Sequence, residues 1–286
     1  RSGYTCGGWT LSGGYGSFAS STFTFGAGNS TLTAGWTANT VKVTLNLNYS
    51  DTTKSTPNFS GTNGTVYITY NTKNIYAART GTAYPYAGSG DTITPKATRN
   101  GYTFNGWYSA ATDGTQIINA NGVLTANWTT NAADGQTLYA HWTVSTYTIT
   151  YVNNGGTLAS GATTSYTIES TASLPSITKV GYSFMGWKAT PVAGNWTLNT
   201  TYATGKTLGG MYGNVTLNAV WQANVTKITL NANKGTGTTD VTMTPSNGLV
   251  YIAYADTSFY TARTSETTPN AVSGNKVAPV ATRNGY

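Results

Sequence analysis

The chain has 286 residues, of which 8% are charged and 13% are aromatic. This aromatic content argues against a disordered chain, because disordered segments lack the apolar mass that offsets ordering entropy. The net charge of +7 comes from 15 basic and 8 acidic side chains without a basic run, which argues against nucleic-acid binding, because that requires clustered Lys and Arg. The single cysteine, Cys6, excludes an intrachain disulfide.

Alternating apolar and polar residues predict β-strands at several points along the chain. In chain order, the apolar sets are Val43, Leu45, Leu47 and Tyr49; Leu138, Ala140 and Trp142; Tyr147, Ile149 and Tyr151; Leu217, Ala219 and Trp221; and Ile228, Leu230 and Ala232. One face of each strand is then buried and the other faces water, as in antiparallel sheets. Asn153-Asn154-Gly155-Gly156 is a turn signal directly after such a strand. The predicted fold class is mainly β.

A Gly-Tyr pair followed by a Gly-Trp pair occurs three times, and a later strand-like segment closes each copy with another tryptophan. We expect the aromatic residues of these motifs to form the module cores, because burying one aromatic hides about 150–250 Å². The expected core residues are Tyr4, Trp9, Trp36, Tyr102, Phe104, Trp107, Trp142, Tyr182, Phe184, Trp187 and Trp221. Cys6, in the slot of Phe104, is expected to be a small buried hydrophobe. Gly101 and Gly106 are expected to permit a tight bend or a close approach of strands.

The spacing of the closing tryptophans predicts alternating long and short modules. Residues 64–102 recur at 248–286 with an offset of 184, and a fourth motif copy begins at Gly285-Tyr286. The predicted domains are 1–38, the C-terminal part of a short-type module; 39–143, a long-type module with an insertion; 144–223, a short-type module; and 224–286, the N-terminal part of a long-type module. Because the chain begins and ends in the same phase of the repeat, we expect it to be a segment of a longer array.

The order of strand, Asn-Gly-Gly turn, proline, Arg-x-Gly-Tyr-x-Phe-x-Gly-Trp and Leu-Tyr-Ala-x-Trp resembles the Listeria–Bacteroides repeat, also called the internalin-type B repeat. Residues 147–221 match one whole repeat, with Lys179-Val180 where Arg-x is usual. Residues 41–142 match with an insertion of about 25 residues that carries Val66 to Tyr70. The resemblance implies β-grasp-like modules in bacterial surface proteins, as spacers or adhesive segments. It supplies no catalytic residues.

Polar residues give little indication of chemistry. His141, the single histidine, is expected to be a solvated strand residue on the face opposite the motif tryptophan. No spacing typical of a calcium loop occurs. Lys42 and Lys227 hold equivalent first-strand positions, which leaves an isopeptide-crosslinked adhesin as an alternative. No catalytic residue, metal site or cofactor is predicted.

Two tryptophans outside the motifs support a second hypothesis. With Tyr108 and Tyr212, Trp128 and Trp196 would form exposed platforms on which sugar rings stack. The alternative is that each ring folds over the edge of its own module.

The leading hypothesis is a non-enzymatic structural protein. We expect an extended rod of small β-grasp-like modules in a bacterial cell-surface or secreted protein, serving as stalk, adhesin or extracellular fibre, with its anchor outside this segment. Short linkers such as Thr37-Ala38-Asn39-Thr40 would pass orientation from module to module. The expected partners are neighbouring modules of the same chain and other copies in a fibre; nucleic acid is not expected. In the alternative, a carbohydrate-binding repeat array, the partners are host or environmental glycans.

Overall fold

The computed structural model describes residues 1–13, 16–51, 53–81, 85–129, 133–233 and 241–283. These ranges form β-strands and loops without a helix, which confirms the mainly β fold class. They accordingly hold no helix long and apolar enough to cross a membrane. The chain divides into two compact units, Arg1–Ser145 and Thr146–Tyr286. The fourth motif copy at Gly285-Tyr286 lies outside the described residues.

The first unit contains thirteen strands among its described residues. They are β1 (Tyr4–Ser12), β2 (Gly16–Ala19), β3 (Thr22–Phe25), β4 (Thr31–Ala38), β5 (Thr40–Asn46), β6 (Asn58–Ser60), β7 (Thr65–Thr69), β8 (Ile75–Thr80), β9 (Ala87–Thr92), β10 (Lys96–Thr98), β11 (Tyr102–Tyr108), β12 (Gln116–Asn119) and β13 (Gln136–Val144).

The second unit also contains thirteen strands among its described residues. They are β14 (Tyr147–Val152), β15 (Thr157–Leu158), β16 (Ser165–Tyr166), β17 (Ile177–Thr178), β18 (Tyr182–Pro191), β19 (Thr201–Tyr202), β20 (Val215–Ala223), β21 (Val225–Thr229), β22 (Val241–Thr244), β23 (Leu249–Ala253), β24 (Phe259–Arg263), β25 (Val272–Val277) and β26 (Val280–Arg283).

The long module is built on one mixed sheet with strand order β12-β11-β13-β5-β7-β8-β9. The central pair, β5 and β13, is parallel, with Leu45 opposite Leu138. The predicted alternation holds in β5, where Val41, Val43 and Leu45 are buried. The small sheet β6–β10 covers this core, and its Phe59 stacks on Trp107 with ring centroids 6.1 Å apart.

The short module has the same plan with fewer strands. Its sheet order is β16-β14-β20-β18-β19, and β14 runs parallel to β20 with Tyr151 opposite Leu217. The small sheet β15–β17 corresponds to β6–β10. After β14, the predicted turn has Asn154 and Gly155 at φ 48° and 81°.

The register shows which strands the long module adds. β7 pairs with β5 in the place where β16 pairs with β14, so β7 belongs to the shared plan. The added strands are therefore β8 and β9, which extend the sheet at its edge. This differs from the sequence-based assignment of Val66 to Tyr70 to the insertion. The physical reason is that the buried Val66 and Ile68 are needed to cover the first strand.

A glycine bulge recurs in the three complete motif copies, all of which the structure describes. Pairing shifts register between Cys6 and Gly8, and at the equivalent positions before Gly106 and Gly186. These three glycines have φ of 118°, 119° and 125°, a conformation that side chains disfavour. At Gly106 a Cβ atom would also overlap the carbonyl oxygen of Ile118. The predicted close approach at Gly106 is confirmed.

The first 38 residues depart from the predicted core. Among the described residues, β4 pairs with β1 alone, whereas β13 and β20 each have a parallel strand on the other edge. Trp9 and Trp36 are consequently 51% and 42% exposed, and Cys6 is exposed. The expectation of burial was wrong for these three side chains, because no described strand covers them.

Candidate functional site

The first motif tryptophan is the centre of each complete core. Trp107 and Trp187 are both 0% exposed. Their indole N–H groups donate to the carbonyl oxygens of Pro95 and Pro175 at 2.9 and 2.8 Å. Because a buried donor without a partner is costly, this bond ties the ring to the loop that covers it.

The closing tryptophan packs on the motif phenylalanine. Phe104 and Trp142 have ring centroids 5.4 Å apart, and Phe184 and Trp221 have centroids 5.3 Å apart. Each pair packs against its buried core and is partly exposed. Tyr102 and Tyr182 are likewise half-buried, with the Arg99 and Lys179 cations over their rings.

Trp128 and Trp196 do not form exposed platforms. Trp128 is 2% exposed within the core of the long module, and Trp196 is 4% exposed within that of the short module. The Trp196 indole N–H donates to the Tyr166 hydroxyl at 2.7 Å, and burial raises the pKa of Tyr166 to about 12. Sugar stacking needs an open ring face, so the predicted glycan contacts are corrected to core packing. One face of Tyr108 is covered by His141, at a centroid distance of 3.9 Å.

Charged side chains are used for local structure. Asp134 forms a two-point salt bridge with Arg79 at 2.6 and 2.7 Å and accepts a bond from the Lys42 backbone N–H. The hydrogen bond from Arg79 lowers the pKa of Asp134. His141 is half-buried, and its Nε2 lies 3.0 Å from the carbonyl oxygen of Ala110, so it is more constrained than predicted. The described residues hold no cluster of three or more His, Cys, Asp or Glu arranged for a metal ion.

The arrangement that recurs outside the cores is a joint between successive modules. In the first unit, the Asn39 N–H donates to the Gly3 carbonyl at 2.9 Å, and the Asn39 carbonyl accepts from the Tyr70 N–H at 2.8 Å. The Thr5 hydroxyl donates to the Asn39 side chain at 2.7 Å. The Tyr4 and Tyr70 rings meet edge to face at 5.6 Å. The Asn39 linker residue is thus bonded to both modules.

The same joint occurs in the second unit. Asn224 donates to the Gly181 carbonyl at 2.9 Å and accepts from the Tyr254 N–H at 2.8 Å. The Ser183 hydroxyl donates to the Asn224 side chain at 2.6 Å, and the Tyr182 and Tyr254 rings meet at 5.4 Å. The Tyr254 ring lies directly on Gly181, which has φ 78°, so that a Cβ atom there would overlap the ring.

The long-to-short boundary carries different residues. Ser145 stands at the position of Asn39, and its N–H donates to the Gly101 carbonyl at 2.9 Å. The strand register makes Ile168 the counterpart of Tyr70. Of the three module boundaries that the structure describes, the two short-to-long ones therefore carry the Asn and Tyr of the joint together, and the long-to-short one does not.

The joint residues can be recognised in the sequence by their spacing, although they lie outside the aromatic motifs. Tyr70 recurs as Tyr254 at an offset of 184, and Asn39 recurs as Asn224 at an offset of 185. Neither residue belongs to the aromatic motifs. Their shared recurrence at the pair period, and not at every module, distinguishes joint residues from core residues.

Comparison with known proteins identifies related sequences. The Listeria-Bacteroides repeat domain family matches residues 67–141 and 147–220, slightly more than half of the chain. Internalin H of Listeria monocytogenes is 34% identical over 128 residues, covering 44% of this chain and 20% of that protein. A protein of Evansella cellulosilytica, described provisionally as a Gly-rich membrane protein, is 27% identical over 147 residues, covering 50% of this chain and 15% of that protein. The chain thus spans a minor part of these relatives. No solved structure gives a significant match.

Proposed function

Because the chain belongs to the Listeria-Bacteroides repeat domain family, we propose that it is a non-enzymatic repeat region of a bacterial cell-surface or extracellular protein. Relatives with names that refer to an internalin and to a membrane protein support this location. Within that setting the region acts as a stalk that holds other parts of the protein away from the cell.

The joint is the observation that carries the stalk function. A stalk must transmit orientation, and a linker that only tethers two modules cannot do so. Asn39 and Asn224 instead continue the backbone hydrogen bonding from one module into the next. At each joint a tyrosine ring packs directly on a glycine, and this contact sterically restricts bending between the two modules. We infer that the β-grasp-like modules of a short-to-long pair move as one body, as an array with the form of an extended rod would require.

Small-angle scattering and electron microscopy test this function. We expect an elongated particle for the 286-residue chain. Replacing both joint tyrosines, Tyr70→Ala with Tyr254→Ala, should broaden the distribution of end-to-end distances, because this steric restriction is removed. Tyr49→Ala is the matched control, since Tyr49 is exposed and lies outside the joint. A compact particle would contradict the stalk, and equal distributions for the joint and control variants would contradict the role of the joint.

The adhesive and fibre-forming versions of the function require a further binding surface. The carbohydrate-binding alternative relied on Trp128 and Trp196, and their burial removes its support. The stalk is therefore the function favoured by the geometry.

A further inference from the structure

The first and last strands of each complete module are neighbours in its main sheet. In the long module these strands are β5 and β13, which pair in parallel inside the sheet. In the short module they are β14 and β20, which pair in the same way. The residue pairs in register run from Val43–Gln136 to Asn46–Tyr139 and from Ile149–Val215 to Val152–Asn218. The contact between the first and last strands of a module is called the terminal seam below.

The parallel direction decides how a pull on the chain acts on a module. The chain enters the short module before β14, at Tyr147, and leaves it after β20, at Ala223. Because the two strands are parallel, these points lie at opposite ends of the terminal seam. A pull on the two ends of the module therefore acts along the seam, in opposite directions on its two strands. All bonds across the seam are then loaded together, whereas a pull across the strands would break them one after another.

Side chains add a hydrogen bond at the end of the seam where the first strand begins. In the short module, Asn214 Oδ1 accepts from the Thr148 backbone N–H at 2.9 Å. In the long module, Asp134 Oδ1 accepts from the Lys42 backbone N–H at 2.7 Å. Asn214 directly precedes the last strand and Asp134 lies two residues before it, so the bond recurs although the residue and its position differ. Both acceptor residues are exposed, and burial therefore does not demand these bonds.

Further side-chain bonds cross the seam at its other end. In the short module, the closing tryptophan Trp221 donates its indole N–H to the Asn153 carbonyl at 3.1 Å. The Asn154 side-chain amide donates to the Ala219 carbonyl at 2.8 Å. The donors and acceptors of the equivalent bonds in the long module, each 2.9 Å apart, are Trp142 and Leu47, and Asn48 and Ala140.

The core covers one face of the seam in both modules. Its side chains from the four seam strands are at most 4% exposed, and they are Val43, Leu45, Leu138, Ile149, Val215 and Leu217. Hydrogen bonds are electrostatically stronger in such low-dielectric surroundings. Water also has no access to the seam from that face, so a loaded bond is not readily exchanged for a bond to water.

We propose that each complete module bears tension, and that the terminal seam is the element that resists unfolding when the array is pulled at its ends. A single hydrogen bond contributes modestly to stability, so the resistance comes from loading the backbone and side-chain bonds of the seam together. The inference rests on the proposed stalk, since a stalk held at both ends experiences a pull. Failure of one is distinguishable from failure of the other, because the stalk is tested by the shape of the unloaded chain and the seam by lifetimes under force.

Stretching single molecules in two directions tests the proposal on the short module. Handles are attached to pairs of introduced cysteines in the 286-residue chain, with Cys6→Ser removing the native thiol. Thr146→Cys with Gln222→Cys loads the terminal seam along its length. Val152→Cys with Asn218→Cys places the handles on two residues that face each other at one end of the seam, so that its pairs open in turn. At equal force, the module should survive at least about tenfold longer in the first direction, as expected if at least one more hydrogen bond must break at the barrier.

A variant of one bridging bond makes the test specific. Asn214→Ala removes the bond to Thr148, which lies at the end of the seam remote from the second pair of handles. It should shorten the lifetime along the seam about threefold to tenfold. In the other direction the lifetime should change by less than about twofold, because this bond is still intact when the opposite end opens. The matched control is Asn195→Ala, which removes side-chain bonds to the backbone elsewhere in the same module and should affect both directions equally.

Circular dichroism of each variant checks that its fold is kept. Equal lifetimes in the two directions overturn the proposal, as does an effect of Asn214→Ala that is the same in both directions. A longer lifetime along the seam, shortened selectively by Asn214→Ala, supports it.

Discussion

Replacing Trp187 by alanine is expected to lower the stability of the short module more than any surface substitution. The ring is fully buried, and burying an aromatic hides about 150–250 Å², worth about 4–6 kcal/mol at 25 cal/mol per Å². Core tryptophan-to-alanine changes cost about 3–5 kcal/mol. The change also removes the bond to the Pro175 carbonyl. We therefore expect a loss of about 4 kcal/mol in the free energy of unfolding of this module.

Amide hydrogen exchange measures this loss in the module itself, which matters because a multi-module chain does not unfold in one two-state step. In β18 and β20 the slowest amides should exchange about a thousandfold faster, since each 1.4 kcal/mol is a factor of ten. Trp9→Ala is the matched control, because it removes the same motif residue from a half-exposed site. Exchange in β1 and β4 should then rise by less than about thirtyfold, which corresponds to about 2 kcal/mol. Equal effects of the two substitutions would refute the assignment of Trp187 as the centre of the core.

Three other predictions concern the joint, an ion pair and the cysteine. Gly181→Ala should lower the free energy of unfolding of the second unit, measured in urea, by at least about 1–2 kcal/mol, because alanine is strained at positive φ. Adding Tyr254→Ala should recover the part of this loss that is due to overlap with the tyrosine ring. Strictly additive effects of the two substitutions would contradict the contact. Asp134 has a pKa below its ordinary 3.8 because Arg79 bonds to it, so its contribution is present above pH 3.8 and is lost as pH falls through the lowered pKa. Since Asp134 is about one-third exposed, the salt bridge should contribute less than about 1 kcal/mol to stability. The melting temperature of Asp134→Asn should lack this acid dependence. A variant with the same pH profile of melting temperature as the original chain would count against the salt bridge. Cys6 is exposed, so a thiol reagent should label the folded chain within about tenfold of the rate in denaturant; labelling only after unfolding would show that Cys6 is buried.

The sequence predicted the strands and the core centres where a residue's neighbours lie within its own module. Val43 and Leu45 are buried as their alternation indicated, because period-two patterning reports directly which face of a strand is covered. Trp107 and Trp187 are buried because complete strand sets surround them. Trp9 carries the same motif and is exposed. A motif thus specifies a local conformation, whereas burial depends on which strands lie beside it.

The joint was harder to predict because it depends on pairing between distant segments. Tyr70 directly follows the apolar strand β7, and in sequence it is indistinguishable from a core tyrosine. Its role depends on the positive φ of Gly3 and on the bonds of Asn39. The sequence left two positions open for Trp128, an exposed platform or a ring folded over the edge of its own module, because its burial depends on a distant segment. Backbone bonds to Asn71 and Thr72 fix it beside the core.

The alternation of boundary residues limits how such an array can change its copy number. Recombination that inserts or deletes a whole short-plus-long pair leaves every Asn39-type residue in front of a Tyr70-type strand. Loss of one short module would instead place Ser145 before a tyrosine-bearing strand and break the match. Gene duplication in steps of about 184 residues is therefore the route by which the protein can lengthen without altering its own boundaries.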